Sequence, residues 1–294
     1  MKLNLPARSP FSLAAVVGSH GWAQMAPFHK DEDGSLTRVE RLASGRVVEL
    51  LVTEAPGGVL VETYAAHTQA EVDEIAAKVA WMLGLDQDLS DFYALARHEP
   101  KLAHVEARCQ GRILRGSTLF EDVVKTILTT NTAWGGTVRM AGALVLQFGS
   151  PLPADPARRA FPTPEQLAIT NEETLRAETR LGYRSPYVLA LARAVASGDL
   201  DLEGLKTADL TTDELRKRLL ALKGVGTYAA AHLLMILGRY DFVPVDSWAM
   251  KVVAHEWHGG KPIGPAEVEA AFERWGAWKG LAYWFWNWSY FDES

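Results

Sequence analysis

One segment constrains the fold more than any other part of the chain: Leu219–Asp246, with the sequence LLALKGVGTYAAAHLLMILGRYDFVPVD. One helix enters this segment and a second begins near Thr227, so only the residues KGVG are left to reverse the chain direction. Gly224 and Gly226 permit positive φ angles and the close approach of another backbone. The spacing therefore predicts a tight helix–hairpin–helix over residues 219–237.

Such a hairpin exposes backbone N–H groups at the start of its second helix, where Thr227 can act as the cap. No side chain blocks these groups, so they can seat a phosphate. A tight turn that binds nothing, with Val225 plugged into the core, fits the same pattern. Downstream, VPVD places Asp246 after an apolar run and before Ser247–Val253, which has a helical pattern. Asp246 can cap that helix, act as a rigidly held carboxylate, or do both.

The apolar pattern of the remaining chain divides it into two regions. RVVELLV (46–52) and VLVETY (59–64) are rich in strand-forming residues and flank two glycines, which predicts a β-hairpin. Thr68–Leu83 follows with a helical pattern and a capping box. Beyond the first hundred residues no convincing strand appears. We therefore predict an α+β protein, with a mixed domain containing an antiparallel sheet over residues 1–98 and an all-α core of two helical subdomains over 99–294.

Composition limits the compartments and functions open to this chain. Its 294 residues, 48% of them hydrophobic, can bury a sizeable core. Cys109 is the single cysteine, which excludes a disulfide framework and a four-cysteine iron–sulfur cluster and favours a reducing cytoplasm. No stretch is long and apolar enough to span a membrane. The net charge of −6 argues against indiscriminate coating of nucleic acids, but a local surface can still bind DNA.

The order LKGVGTYAA followed by VPVD resembles the helix-hairpin-helix (HhH-GPD) DNA glycosylase superfamily, whose hallmark is a GVG-type hairpin and a downstream aspartate. Gly111–Asn131 and Leu181–Val188 (LGYRSPYV) are similar to segments of 8-oxoguanine glycosylases. Ser19–Trp22 (SHGW), with the β-hairpin after it, looks like the N-terminal domain shared by that branch and the AlkA-type 3-methyladenine glycosylases. The resemblance covers nearly the whole chain and places it between the two branches.

This resemblance implies base excision repair of DNA, with Asp246 as the catalytic carboxylate beside the sugar of an extruded nucleotide. Cleavage of the N-glycosidic bond builds positive charge on that sugar, and a fixed carboxylate stabilises it. Bifunctional relatives carry a nucleophilic lysine two residues after the GVG, where this chain has Tyr228. Lys223 precedes the hairpin glycines. We therefore expect a monofunctional enzyme that leaves an abasic site and lacks lyase activity.

The resemblance also assigns residues to DNA binding. The hairpin residues expected to hold the strand are Gly224, Val225, Gly226, Thr227 and Tyr228. Asn131 matches the position that fills the gap left by the extruded base, while Tyr183 and Arg184 match residues beside the orphaned partner base. Simpler roles compete: Asn131 can cap the next helix, and Arg184 can be an ordinary surface charge.

The C-terminal region carries the expected base pocket. Helices are predicted over Pro265–Trp275 and Lys279–Tyr290, and the aromatic residues of this region are Trp275, Trp278, Tyr283, Trp284, Trp286, Trp288, Tyr290 and Phe291. The resemblance places Trp248, Tyr283, Trp284 and Asn287 around the base. At Trp248, Tyr283 and Asn287 the 8-oxoguanine enzymes have other residues. Electron-rich rings suit a cationic alkylated purine such as 3-methyladenine. Packing in the core is the alternative role for about half of these aromatics.

We expect the partner to be double-stranded DNA containing a damaged base, and the protein to be a monomer in the cytoplasm, associated with the bacterial nucleoid. No cofactor is expected, although the backbone carbonyls of Leu220, Leu222 and Val225 can hold a structural Na⁺ or K⁺ as in relatives. Two alternatives stay open. One is an 8-oxoguanine-type glycosylase, and the other is a non-catalytic DNA-damage-binding protein that retains the hairpin.

Overall fold

The structure, a computed structural model, describes residues 1–64 and 67–289. Its strands are β1 (Lys2–Pro6), β2 (Phe28–Lys30), β3 (Leu36–Arg41), β4 (Val47–Ala55), β5 (Gly58–Glu62), β6 (Pro151–Leu152) and β7 (Asp155–Arg159). The first five form an antiparallel sheet in the order β1–β5–β4–β3–β2. The predicted β-hairpin is confirmed as β4 and β5, which turn through Gly57 with φ of 74°.

The helices follow in chain order. They are α1 (Leu13–Val17), α2 (Gln69–Leu83), α3 (Ser90–Ala96), α4 (His104–Ala107), α5 (Leu119–Thr129), α6 (Trp134–Phe148), α7 (Pro164–Ala168), α8 (Glu172–Thr179), α9 (Ser185–Ala196), α10 (Thr212–Leu220), α11 (Thr227–Ile236), α12 (Ser247–His258), α13 (Pro265–Phe272) and α14 (Lys279–Trp284). The predicted capping box at the start of α2 is confirmed, with Thr68 and Glu71 each accepting from the other's backbone N–H. Among the described residues, no helix has the length and apolarity needed to cross a bilayer.

The chain forms two compact units, each assembled from two separate stretches. The first unit comprises Met1–Gln87 and Arg112–Thr207, and the second comprises Asp88–Gly111 and Ala208–Ser294. The α+β class is confirmed, because the sheet lies in the first unit and helices make up most of the remainder. The predicted boundary at residue 98 does not coincide with this division. Helices up to Thr207 belong with the sheet, and the short stretch before Arg112 belongs with the C-terminal helices.

Buried charges join the sheet of the first unit to α5. Arg38, on β3, donates to both carboxylate oxygens of Glu121 at 3.0 and 2.6 Å, and Lys125 lies 2.7 Å from the same group. Burial raises the pKa of Glu121, but the charges of Arg38 and Lys125 outweigh burial and lower this pKa to about 2. The ion pairs therefore fix α5, the helix that leads directly into the Asn131 loop.

Aromatic rings form the core of the second unit. Five buried rings contact one another, those of Phe272, Trp275, Tyr283, Trp286 and Trp288, and Trp257, which is 40% exposed, packs against them at the surface. The centroid separations run from 5.2 to 6.2 Å. Most of these contacts are edge-to-face or tilted, the geometry that aromatic quadrupoles favour. Much of the C-terminal aromatic content is therefore structural, which is the packing alternative raised from the sequence.

The expectation that no strand follows residue 100 is wrong. β6 and β7 pair as a small antiparallel hairpin in the first unit. Leu152 and Ala160 pack against Val39 of the larger sheet, and this contact stabilises the hairpin. Strands of two and five residues, one of them DPARR, are too short and polar to show the alternation from which strands are predicted.

The two C-terminal helices are also shorter than predicted. α13 ends at Phe272, and Glu273–Trp278 forms a 3₁₀ segment interrupted at Gly276, whose φ of 51° no longer fits a helix. α14 then ends at Trp284. Tyr290, the predicted last residue of this helix, and the aromatic Phe291 lie outside the described residues.

Candidate functional site

The predicted helix–hairpin–helix lies in the second unit, between α10 and α11. Gly224 has φ of 88°, in the left-handed region that favours glycine. Val225 is buried, and its N–H donates to the carbonyl of Leu222 at 3.1 Å, which tightens the turn. Gly226 has an ordinary φ of −92° and is the N-cap of α11, without a side-chain hydrogen bond. Thr227 is thus the first helical residue rather than the predicted cap.

The amino end of α11 is open at Gly226. A Cβ added to this exposed glycine would meet no other atom within 4 Å. No side chain caps the first amides of α11, which is the arrangement expected of a phosphate seat. Lys217 and Arg218 lie in the last turn of α10, and Lys223 is exposed in the hairpin. The hairpin therefore carries a local positive charge in a chain whose net charge is −6.

Asp246 is the N-cap of α12, so the capping role considered from the sequence is confirmed. Its Oδ1 accepts a hydrogen bond of 2.7 Å from the backbone N–H of Ala249. The preceding Val243 is buried, and Asp246 itself is half-buried. Within residues 1–64 and 67–289, no cationic side chain forms an ion pair with Asp246. The carboxylate is therefore held at one oxygen and is not neutralised by a salt bridge.

The charge of Asp246 contributes to the raised pKa values of two tyrosines, Tyr228 and Tyr283. Burial, with a further contribution from Asp246, raises the pKa of Tyr228 to about 12. The same causes raise the pKa of Tyr283 further, and Tyr228 adds to the effect. Both phenols are consequently protonated at neutral pH and can donate a hydrogen bond. Tyr228 occupies the position at which the resemblance looks for a lysine, so no amine is available there.

His232 is a residue of this site that sequence reasoning missed. It lies one turn after Tyr228 on α11, and their rings stack at 6.3 Å with an interplanar angle of 13°. The ring of Trp284 lies 5.7 Å from the imidazole. Burial lowers the pKa of His232 to about 4, so the imidazole is neutral at physiological pH. Its place four residues after Tyr228, on the same helix face, was the available signal.

The four residues predicted to line the base pocket differ in exposure. Tyr283 is buried and packs against the aromatic core, while Trp284 is half-buried beside His232. Trp248, in the first turn of α12, is 39% exposed. The side chain of Asn287 is exposed, and its backbone N–H donates to the carbonyl of Lys101 at 3.0 Å. Trp284 and Trp248 thus offer accessible aromatic surface, whereas Tyr283 serves chiefly in the core.

The carbonyls predicted to hold a monovalent cation lie at the end of α10 and in the hairpin. Leu222 already accepts the hydrogen bond from Val225, which uses one of the two acceptor positions on that oxygen. Leu220 is the last residue of α10, where carbonyls lack a helical partner. Oxygen donors of this kind suit a hard monovalent ion, so the residues present fit such a group.

The Asn131 loop, residues 130–133, connects α5 and α6 in the first unit. Asn131 is exposed and has φ of 47°, a left-handed conformation that asparagine tolerates better than most residues. Its Nδ2 donates to the hydroxyl of Tyr183 at 3.3 Å, and Tyr183 is 46% exposed. The N-cap of α6 is Ala133, so the alternative in which Asn131 caps that helix is wrong.

The buried side chain of Arg184 bonds to the backbone of this loop. The residue is only 6% exposed, so the alternative of an ordinary surface charge is wrong. Its Nη2 donates to the carbonyl of Thr130 and, at 3.3 Å, to that of Asn131. The guanidinium also lies 4.4 Å from the ring centroid of Tyr183. Arg184 therefore fixes the backbone that presents Asn131 and stacks against the neighbouring Tyr183.

A cavity of about 460 Å³ opens beside the loop in the first unit. Thr132, Gly136 and Arg184 are among its lining residues. Arg139 and Arg180 add two further positive charges, and Glu178 adds one negative charge. This cavity is lined by Arg184, one of the two residues that the resemblance assigns to the orphaned base.

Comparison with known proteins agrees with this arrangement. A family model described as "HhH-GPD superfamily base excision DNA repair protein" matches residues 124–277, more than half of the chain. The chain is 25% identical over 177 residues to the DNA-3-methyladenine glycosylase of Bacillus subtilis (strain 168). The matched stretch covers 59% of this chain and 58%, less than two thirds, of that relative's length.

Two solved structures share the fold. The 3-methyladenine DNA glycosylase from Archaeoglobus fulgidus superposes with a TM-score of 0.76 at 20% identity, covering 96% of both chains. The Clostridium acetobutylicum 8-oxoguanine glycosylase/lyase, in complex with double-stranded DNA containing cytosine opposite 8-oxoG, has a TM-score of 0.74 at 20% identity. It covers 97% of this chain and 93% of that one. The similarities thus extend to both branches inferred from the sequence.

Proposed function

This chain belongs to the HhH-GPD superfamily of base excision DNA repair proteins, and from that premise we propose that it is a monofunctional DNA glycosylase, which uses Asp246 to hydrolyse the bond between a damaged purine and its sugar. The observation that carries the proposal is the state of Asp246. Its carboxylate is half-buried, anchored by the N–H of Ala249, and free of any ion pair among the described residues.

The chemistry requires negative charge at a fixed place. As the base departs, positive charge develops on the deoxyribose, and a preorganised carboxylate stabilises it by several kcal/mol. The helix-capping bond occupies Oδ1 of Asp246, so we assign Oδ2 to the sugar and the attacking water. Asp246 orients this water and accepts its proton as the new bond to the sugar carbon forms.

Tyr228 supports the monofunctional assignment. A lyase of this superfamily needs an amine that attacks the sugar and forms a Schiff base. A phenol whose pKa is raised to about 12 stays protonated and has no nitrogen with which to form this intermediate. Its hydroxyl can instead donate a hydrogen bond towards the carboxylate that raises its pKa.

For DNA binding we propose that the hairpin holds one phosphate through the open amides of α11, assisted by Lys223. Phosphate contacts of this kind position the protein without reading sequence. On the first unit, Asn131 would fill the gap left by the extruded base and Tyr183 would pack beside it. Arg184 would act mainly by holding the loop, because its donors already bond to Thr130 and Asn131. A Na⁺ or K⁺ at the hairpin carbonyls would stiffen the turn.

The substrate we favour is an alkylated purine such as 3-methyladenine. A DNA purine methylated at N3 or N7 carries positive charge, which strengthens its stacking on electron-rich rings and weakens its glycosidic bond. Tyr228 and Trp284, both half-buried, supply such rings, and each lies next to the buried imidazole of His232. His232 is neutral at physiological pH, because burial lowers its pKa to about 4, so it does not repel a cationic base.

A panel of duplex substrates tests the proposal. Methylated DNA and duplexes carrying one 8-oxoguanine would be incubated with the protein, and strand cleavage would be measured before and after alkali. We expect release of methylated purines, cleavage only after alkali, and no covalent product on borohydride treatment. Excision of 8-oxoguanine would favour the oxidised-base alternative, and a trapped adduct would contradict the monofunctional assignment. Tight binding without product would favour a damage-binding protein.

A further inference from the structure

An indole stands partly exposed in the first unit, three residues after Asn131. Trp134, the first residue of α6, is 38% exposed. Its Nε1–H donates to the side-chain oxygen of Gln24 at 2.7 Å. Gly21 lies directly against the ring, since a Cβ added there would come within 2.0 Å of Cζ2 of the indole. Trp134 is thus held at two points and still presents open surface.

The segment that seats this ring is itself rigid. Within Ser19–Trp22, the hydroxyl of Ser19 accepts from the N–H of Leu114 at 3.0 Å, and Nε2 of His20 bonds to the carbonyl of the same residue at 2.6 Å. Trp22 donates to the buried Asp122 at 2.7 Å. These bonds join residues that are about a hundred positions apart in the chain, and they fix the segment against which the indole packs. The contact with Trp134 also explains the glycine of the SHGW motif, because any side chain at Gly21 would displace the indole.

We propose that Trp134 is a further DNA-contacting residue, whose indole packs against a nucleotide of the duplex next to the one reached by Asn131. The inference rests on the proposed function, because the closeness of Trp134 in the chain to Asn131 identifies DNA as the occupant. An indole fixed before binding loses little conformational entropy on contact. Every base and deoxyribose offers an apolar face, so this contact tolerates any sequence.

The test measures the dissociation constant for a duplex with a stable abasic analogue across a series of salt concentrations. Trp134→Ala should weaken binding about tenfold, as expected for the loss of one aromatic contact to a nucleotide. Because the indole carries no charge, the slope of log Kd against log salt should equal that of the wild type. Ile169→Ala, an apolar residue of the first unit that is 89% exposed, is the matched control and should bind normally.

Gly21→Ala tests the packing of the Ser19–Trp22 segment against the indole, and it leaves the indole itself in the chain. The added methyl must displace the indole, so this variant should lose nearly as much affinity as Trp134→Ala. In the Trp134→Ala background the same methyl has room and should cost nothing further. Gln24→Leu, which removes only the hydrogen bond, gives a milder version of the same experiment. Thermal unfolding of each variant establishes that the chain remains folded.

Two results separate failure of this inference from failure of the proposed function. If the wild type binds the duplex and Trp134→Ala binds equally well, the indole makes no contact and the inference is overturned while the glycosylase proposal survives. If the wild type binds no duplex at all, both are overturned. Additive losses for Gly21→Ala and Trp134→Ala would likewise contradict the inference, because the glycine would then act independently of the ring.

Discussion

Under the proposed function, the hairpin of the second unit and the Asn131 loop of the first unit would contact DNA in two different ways. The hairpin offers backbone amides, and its glycines keep side chains away from them. The loop offers side chains, and its backbone is only the support, held by Arg184. In the first design an added side chain is an obstacle, whereas in the second the side chains are the contacting groups.

The two designs also differ in how far apart their determinants lie in the chain. The hairpin is fixed by contacts within a few residues, such as the bond from Val225 to Leu222. The loop depends on Tyr183 and Arg184, more than fifty residues away. We therefore expect substitutions in the two regions to affect different measured properties. These properties are the rate of base release, the stability, the affinity for damaged DNA and the affinity for any DNA.

The largest effect is expected at the carboxylate beyond the hairpin. Asp246→Asn should lower the single-turnover rate of base release by about a hundredfold or more, because a neutral amide cannot stabilise the charged sugar. Asparagine is as good an N-cap as aspartate, so α12 and the thermal unfolding temperature should be preserved. DNA affinity should also remain. A variant with near-normal excision would contradict the catalytic assignment.

The next largest effect is expected in the free energy of unfolding and concerns His232, on α11. Burial lowers its pKa to about 4 in the folded state, against about 6.5 when unfolded, so the unfolded chain binds the proton more readily. Stability is therefore lost as pH falls from 6.5 towards 4. Between pH 7 and pH 5 the wild type should lose about 2 kcal/mol more than His232→Gln.

Denaturant unfolding at several pH values measures this difference. The absolute stability of His232→Gln does not matter, because only the change with pH is compared. His98→Gln, at an exposed histidine of the same unit, is the control and should follow the wild-type profile. Parallel profiles for wild type and His232→Gln would show that the imidazole is accessible to protons in the folded state.

On the loop side, Arg184→Lys keeps the charge but loses the planar fork and the stacking on Tyr183. The carbonyls of Thr130 and Asn131 would lose donors, so we expect a loss of about 1–2 kcal/mol in stability. Affinity for an abasic-site duplex should fall about fivefold to tenfold, and affinity for undamaged duplex should change less. Fluorescence anisotropy with both duplexes measures this ratio.

Arg193→Lys is the matched control for Arg184→Lys. Arg193 is also in the first unit, and its guanidinium bonds two carbonyls, those of Ala168 and Thr170, away from the Asn131 loop. It should affect neither duplex. If the two arginine variants behave alike, the loop does not distinguish damaged from intact DNA, and the contrast between the two designs fails on this side.

The same contrast explains what the sequence could predict. The β4–β5 hairpin, the capping box of α2, the helix–hairpin–helix and the N-cap at Asp246 all follow from residues close together in the chain. The role of Arg184 and the seat of Trp134 depend on partners about 50 and 110 residues away, which no local pattern encodes. The aromatic core of the second unit likewise could not be separated from a base pocket by spacing alone, because both require the same residue types.

The smallest effect is expected at Gly226, and it tests the hairpin design most directly. Gly226→Ala adds a methyl that touches nothing within 4 Å, at an ordinary φ of −92°, so unfolding should change little. Because the methyl lies at the open amides, binding to every duplex, damaged or not, should weaken by about threefold to fivefold, as for lost phosphate contacts. Gly142→Ala, a methyl in equally open space on α6, should leave binding unchanged. If only damaged DNA were affected, the hairpin would be reading the lesion rather than gripping the strand.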